Sequence, residues 1–120
     1  MSNYPKPIGP YSAYRQGEGL LFVSGQIPIN PQTGEIESKD IKEQTRQVLK
    51  NIEAILKENK LSLSEVLKST CFLTDMKDFS AFNEVYAEFF TPPYPARSAF
   101  AVKDLPKDAK IEIEIIACKS

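Results

Sequence analysis

The chain has no histidine. That absence removes Ser-His-Asp and Cys-His nucleophilic arrangements, imidazole as general acid or base, and histidine-ligated zinc. Its two cysteines, Cys71 and Cys118, are far apart and form no CxxC pattern, so no dithiol redox motif or thiolate cluster is expected. Cys71 stands in an apolar, strand-like run, where a buried thiol is ordinary. No apolar run reaches the length of a membrane span. Acids and bases are mixed along the chain, with a net charge of −1, and the lack of a Lys/Arg block counts against a nucleic-acid partner. The opening residues, Met1 to Pro7, lack the apolar core of a secretory signal. The expected compartment is the cytoplasm, where a disulfide is not expected. Chemistry must come from carboxylates, arginine, tyrosine, hydroxyls, backbone groups or a bound water.

The 120 residues suit one domain, residues 1–120, with one core. Residues 4–11 hold three prolines ahead of Tyr11, which rules out helix there. Gly17-Glu18-Gly19 reads as a turn. Leu20-Leu21-Phe22-Val23-Ser24 is nearly continuous in hydrophobicity and predicts a strand buried on both faces, ended at Ser24-Gly25. Ile27 to Ile36 carries two prolines and Thr33-Gly34 and reads as a loop. From Ile41 to Asn59, the residues Ile41, Val48, Leu49, Ile52, Ile55 and Leu56 recur on one helical stripe, with Asp40 or Ser38 placed to cap the start. Val66 to Thr74 predicts a strand. Asp78 is placed to cap a second helix, on which Phe79, Phe82, Tyr86, Phe89 and Phe90 form an aromatic stripe that reads as core. Thr91-Pro92-Pro93-Tyr94-Pro95 stops that helix. The fold class this order predicts is α+β: a mixed β-sheet with two helices packed on one face.

The stretch from Pro95 to Ala117 carries the most chemistry. Two runs of strand-like period, Ala96 to Val102 and Ile111 to Ala117, predict an antiparallel hairpin with a longer loop. If Lys103 pairs with Lys110, then Ala99 lies opposite Glu114 and Ala101 opposite Glu112. Arg97 then shares a face with both carboxylates, while Phe100, Val102 and three isoleucines make the core face. Arginine can hold a carboxylate through two parallel hydrogen bonds and keeps its charge at any relevant pH. A carboxylate beside it can orient and deprotonate water, and alternation leaves Glu112 and Glu114 equally placed for that role. The apolar remainder of the sheet's second face, with Phe72, Ile116, Ala99 and Ala101, calls for cover by another copy of the chain.

Pro95-Ala96-Arg97-Ser98, Leu105-Pro106 and Ile111-Glu112-Ile113-Glu114-Ile115-Ile116-Ala117 resemble the C-terminal signature of the reactive intermediate (imine/enamine) deaminase family, RidA/YjgF. Ile8-Gly9-Pro10-Tyr11, Val23-Ser24-Gly25-Gln26-Ile27-Pro28 and Asn30-Pro31-Gln32-Thr33-Gly34-Glu35 resemble its N-terminal signatures. The resemblance covers nearly the whole chain. It implies a chorismate-mutase-like fold and a homotrimer around a central barrel, with sites in the clefts between subunits. It also implies hydrolysis of 2-aminoacrylate and 2-iminopropionate-type intermediates to 2-ketoacids and ammonia. In that scheme Arg97 grips the substrate carboxylate and Glu112 positions the attacking water, and neither metal nor cofactor is implied. Tyr11 reaches the substrate nitrogen, and Ser24, Gly25 and Asn83 line the cleft. Only the resemblance favours Glu112 over Glu114. Many members carry cysteine where this chain has Ala99, which puts any thiol-based role at that position in doubt. Two other readings stand beside the deaminase: a regulator that binds a ketoacid or amino acid without turnover, and an endoribonuclease or translation inhibitor.

Overall fold

The computed structural model describes residues 3–119. Strands β1 (Tyr14–Gly17) and β2 (Leu20–Gln26) form a hairpin. Its two-residue turn, Glu18-Gly19, has φ of 54° and 78°, the left-handed pair that matches the twist of the flanking strands. Two short strands, β3 (Ile29–Asn30) and β4 (Glu35–Ile36), pair within the segment expected to be a loop. The buried Asn51 amide holds that segment down, donating to the carbonyls of Ile27 and Ile29. Helix α1 (Ile41–Glu58) follows the predicted stripe: Val48, Leu49, Ile52, Ile55 and Leu56 are fully buried. Asp40 caps it by accepting from the Glu43 N–H at 3.1 Å, satisfying one of the free donors of the first turn. Then come β5 (Val66–Leu73), α2 (Phe79–Phe89), β6 (Ala96–Ala101) and β7 (Ile111–Cys118). Asp78 makes no side-chain cap on α2; instead Asp75 caps the single turn before it, accepting from the Lys77 N–H.

The five-stranded sheet runs β1-β2-β7-β5-β6, antiparallel except for the parallel pair β5–β6. It is mixed and open within one chain, with both helices on one face, as the order of elements predicts. The expected β6–β7 hairpin does not form: β5 lies between the two strands and pairs with each. The cause is α2. A parallel pair needs a crossover connection, and α2 supplies it while burying Phe82, Val85 and Tyr86. That burial outweighs the short loop closure of a local hairpin.

Inserting β5 changes which side chains share a face. Arg97, Ala99 and Ala101 align with Ser69, Cys71 and Leu73, which align with Ile115, Ile113 and Ile111. All of these face the helices. Phe100 aligns with Phe72 and Glu112, and Ser98 with Thr70 and Glu114, on the open face. The expectation that Arg97 and the glutamates share one face is therefore wrong, and Phe100 is not core. The open face is as apolar as expected but with partly different members. Phe100 (49% exposed), Phe22 (45% exposed, not buried) and the half-buried Phe72 and Ile116 lie there, while Ala99 and Ala101 lie on the other side.

Candidate functional site

Two groups of side chains carry the chemistry, one on each face of the sheet. The first surrounds Arg97. The α2 stripe reads as core, and Phe82, Tyr86 and Phe90 are buried, but three of its rings also cradle the guanidinium. The Arg97 carbon Cζ stands 5.5 Å from the centre of the Phe79 ring, 5.4 Å from Phe82 and 4.8 Å from Tyr86. Aromatic faces attract a cation electrostatically and do so more strongly when water is excluded. Arg97 Nη1 donates to Asn83 Oδ1 at 2.8 Å. Asn83 lies one residue after Phe82, so the helix that provides the rings also provides the amide. Beneath, the buried Ser69 and Tyr86 hydroxyls bond each other at 2.7 Å. Burial holds the Tyr86 hydroxyl above its ordinary pKa.

Among the described residues the ion pairs are Lys42–Glu84, Arg46–Glu43 and Arg46–Glu88. Arg97 belongs to none of them, so it is not the structural partner of Glu112 or Glu114. Its charge is stabilised by rings and one neutral amide, leaving the other guanidinium donors for an anion. Cys71, cross-strand from Ala99, is buried, and burial pushes its thiol pKa up to about 11. It stays protonated near neutrality, which is the state of an inert core thiol.

The second group surrounds Glu112 on β7. Glu112 is half-buried, and its pKa is raised above the ordinary carboxylate range, first by desolvation and then by the nearby charge of Glu114. Gly25 lies directly beneath it. A β-carbon built on Gly25 would stand 2.0 Å from Glu112 Oε2 and 2.8 Å from its carboxyl carbon, far inside contact distance. Ser24 precedes it: its hydroxyl donates to the Ser12 carbonyl at 2.6 Å and its N–H to the Ala13 carbonyl at 2.9 Å. These bonds tie the N-terminal segment to β2 beside the glutamates. Tyr11 is exposed and accepts from the Ile8 N–H at 3.3 Å. It borders a small recess with Gly25 and an open groove of about 540 Å³ with Ser24, Phe22 and Glu114.

The structure thus brings Tyr11, Ser24, Gly25 and Glu112 to one region, and Arg97 and Asn83 to another. In a single chain the α-carbons of Arg97 and Glu112 are two strand spacings and three residues apart in register, roughly 14 Å, with side chains on opposite faces. A larger hollow, about 720 Å³, lies between the N-terminal segment and α1 and contains none of these six residues. At its rim Glu58 accepts from the hydroxyls of Tyr4 and Tyr14, both at 2.8 Å, which pins the segment bearing Tyr11. The ring cradle of Arg97 was missed as a functional feature because apolar stripes at helical spacing are usually core. The asparagine beside the stripe was the signal available.

Two helices on one face of a mixed sheet, with an arginine at one edge that is in no ion pair among the described residues and a half-buried carboxylate near its middle, define a small α+β domain with charged groups on both faces. Residues 1–119 match the family described as Endoribonuclease L-PSP, and the chain belongs to that family, which includes the RutC, YjgF and Rid proteins. It is 58% identical to a RutC family protein of Pyrococcus horikoshii, over 98% of this chain and 93% of that protein. It is 46% identical to the chloroplastic Reactive Intermediate Deaminase A of Arabidopsis thaliana, over 94% of this chain and 60% of that one. The crystal structure of Escherichia coli TdcF with bound serine superposes with a TM-score of 0.94 at 45% identity, covering 100% of this chain and 96% of the other.

Proposed function

We propose that the protein is a 2-iminobutanoate/2-iminopropanoate deaminase, a cytoplasmic hydrolase acting on C=N bonds. It converts reactive 2-aminoacrylate and 2-iminopropionate-type intermediates to 2-ketoacids and ammonia. The observation that carries this reading is the state of Arg97: a guanidinium seated on three rings, bonded to one amide and, among the described residues, to no carboxylate. Such a group is preorganised for a carboxylate ligand. The α-carboxylate of the imino acid docks on Arg97, with Asn83 alongside. Glu112 takes a proton from water as the water oxygen bonds to the imine carbon. The C=N electron pair passes to the nitrogen, near Tyr11, which takes up a proton to give an amino alcohol. The nitrogen is then protonated again and leaves as ammonia, the hydroxyl losing its proton as the C–N bond breaks and the ketoacid carbonyl forms. Ser24 and Gly25 line the cleft. Free imines already react with water, so an anchor and an oriented water suffice, through proximity and modest base catalysis. The scheme calls for no metal and no cofactor.

Arg97 and Glu112 are too far apart in one chain for a substrate of three or four carbons to touch both. The site is therefore completed between copies, with Arg97 and Asn83 from one subunit and Glu112, Gly25 and Tyr11 from the next. The apolar open face is what the copies bury, and the assembly expected is a homotrimer. The test is to generate 2-aminoacrylate with a dehydratase and follow ketoacid release with and without the protein. Faster release supports the reading.

Ketoacid binding without acceleration would favour a regulator that binds small amino-acid-like ligands, a reading that the serine-bound E. coli relative also fits. The family's description raises ribonuclease activity, but the chain has no histidine to act as acid or base and no basic tract, so RNA cleavage is expected to be absent in the same preparation.

A further inference from the structure

The register of β2 against β7 contains an irregularity at the residues beside Glu112. Val23 pairs with Ile115, and the next pair is Gln26 with Ile113. Two residues of β2, Ser24 and Gly25, therefore stand against the single residue Glu114. This is a β-bulge, which re-aims the side chains that follow it. In an unbroken ladder Gly25 would oppose Ile113 on the helix face and Gln26 would oppose Glu112 on the open face. The extra residue shifts both by one. Gln26 is turned to the buried side, where it is 6% exposed and its amide donates to the Ser24 carbonyl. Gly25 is turned toward Glu112 in its place.

We infer that the Ser24–Gly25 bulge is a seat for the Glu112 carboxylate, that Gly25 is a positioning residue for water activation, and that this seat distinguishes Glu112 from Glu114. The inference rests on the deaminase reading for its functional half. Its structural half is the 2.0 Å approach of a β-carbon at Gly25 to Glu112 Oε2. No side chain fits there while the carboxylate keeps its place. An added β-carbon would move the flexible end of Glu112 and not the backbone, so glycine is what lets Glu112 lie there, and its own φ does not demand it. The seat holds Glu112 close against Gly25 of β2, where it is half-buried. Glu114, two residues away on the same face, is exposed and has no such support. Alternation alone gives both carboxylates the same claim to the role; the bulge gives it to one. A fixed carboxylate matters because a misplacement of about 1 Å in a reacting group can cost about 100-fold.

The experiment is a double-mutant cycle between Gly25→Ala and Glu112→Ala, read by thermal stability, together with one between Gly25→Ala and Glu112→Gln, read by turnover. Gly25→Ala is expected to lower kcat by about 10- to 100-fold, while pyruvate affinity at Arg97 stays within about twofold of the parent, a change of under 0.5 kcal/mol. In the Glu112→Gln background, Gly25→Ala adds no comparable further loss of turnover. Gly25→Ala lowers the melting temperature of the parent but not that of the Glu112→Ala variant, where the space is free. If Gly25→Ala alone does not fold, the double variant with Glu112→Ala is expected to fold. The inference is overturned if Gly25→Ala leaves kcat unchanged, if its losses add fully to those of Glu112→Gln, or if it is equally disruptive with Glu112 removed. Should the parent itself fail to hydrolyse imines, the deaminase reading falls, while the stability cycle still decides whether Gly25 seats Glu112.

Discussion

The two faces of the sheet treat charge in opposite ways. On the helix face Arg97 keeps its charge among aromatic rings and donates to the Asn83 amide oxygen. On the open face Glu112 is half-desolvated beside a second carboxylate, and both effects favour its neutral form. An anchor must hold its charge in every state of the reaction, whereas a base must be able to gain and lose a proton. Rings attract a cation without titrating and without occupying its donors. Desolvation and a like charge raise proton affinity, which makes a carboxylate a better base. In the proposed reaction the two faces serve two stages, and another copy brings them together.

The most drastic way to break this division is to prevent that meeting. Phe100 is half-exposed on the open face and packs against Phe72, ring centres 5.6 Å apart and planes tilted by 49°. Phe100→Asp is expected to leave the chain folded, because that ring is outside the helix-side core. It should abolish assembly and, with it, turnover. Light scattering should give three times 13.5 kDa for the parent and a single chain for the variant. A parent that remains monomeric and active would sink the two-copy site.

With assembly intact, the two faces should fail separately. Glu112→Gln keeps the shape and loses the basicity. It is expected to lower kcat by about 100-fold, the low end for loss of a general base because imines are reactive, with ketoacid affinity retained. Arg97→Lys should do the reverse. The cation stays but the planar fork is lost, and with it a charge-assisted hydrogen bond of about 1.5–3 kcal/mol. That corresponds to about 10- to 150-fold weaker binding of pyruvate or 2-ketobutyrate by calorimetry. If the lysine variant binds either ketoacid as well as the parent does, Arg97 is not the anchor.

Much of this was legible in the sequence, and what was not follows from what periodicity can encode. The α1 stripe, the aromatic run of α2 and the β1–β2 turn each reflect contacts within one element or across one tight turn, and these appear where expected. The six candidate residues fall into two coherent groups. The neighbour of β7 was not legible, because alternation in Ile111 to Ala117 says which side chains share a face but not which strand lies alongside. β5 took that place through the packing of α2, a nonlocal event, and this reversed the face assigned to Arg97. The seat under Glu112 was likewise hidden. Ser24-Gly25 reads as a strand end, and only the register with β7 shows a bulge that exchanges Gly25 for Gln26.

The smallest expected effect is also the one that separates the two glutamates most directly. Glu114 raises the pKa of Glu112 by its negative charge, as the second contribution after desolvation. The base form of Glu112 is the ionised one, so turnover should rise with pH through an inflection above the ordinary carboxylate range. Glu114→Gln removes the like charge but leaves the burial, so the inflection should move down, toward the ordinary range, without vanishing. The same linkage acts on stability. A carboxyl whose folded pKa lies above its unfolded value binds more protons in the folded state, so it makes stability fall as pH rises from the unfolded pKa to the folded one. Above that window the penalty is complete, and Glu114→Gln should reduce it. Turnover on the plateau above the inflection should change little, since Glu112 is ionised there in both proteins. The measurement is a pH–kcat profile of parent and variant, with melting curves on the acid side. If Glu114→Gln abolishes turnover while an assembled Glu112→Gln stays active, the water-activating role belongs to Glu114, and the bulge beneath Glu112 is a matter of packing alone. An inflection that does not move would mean that the proton being read belongs to neither carboxylate of this pair.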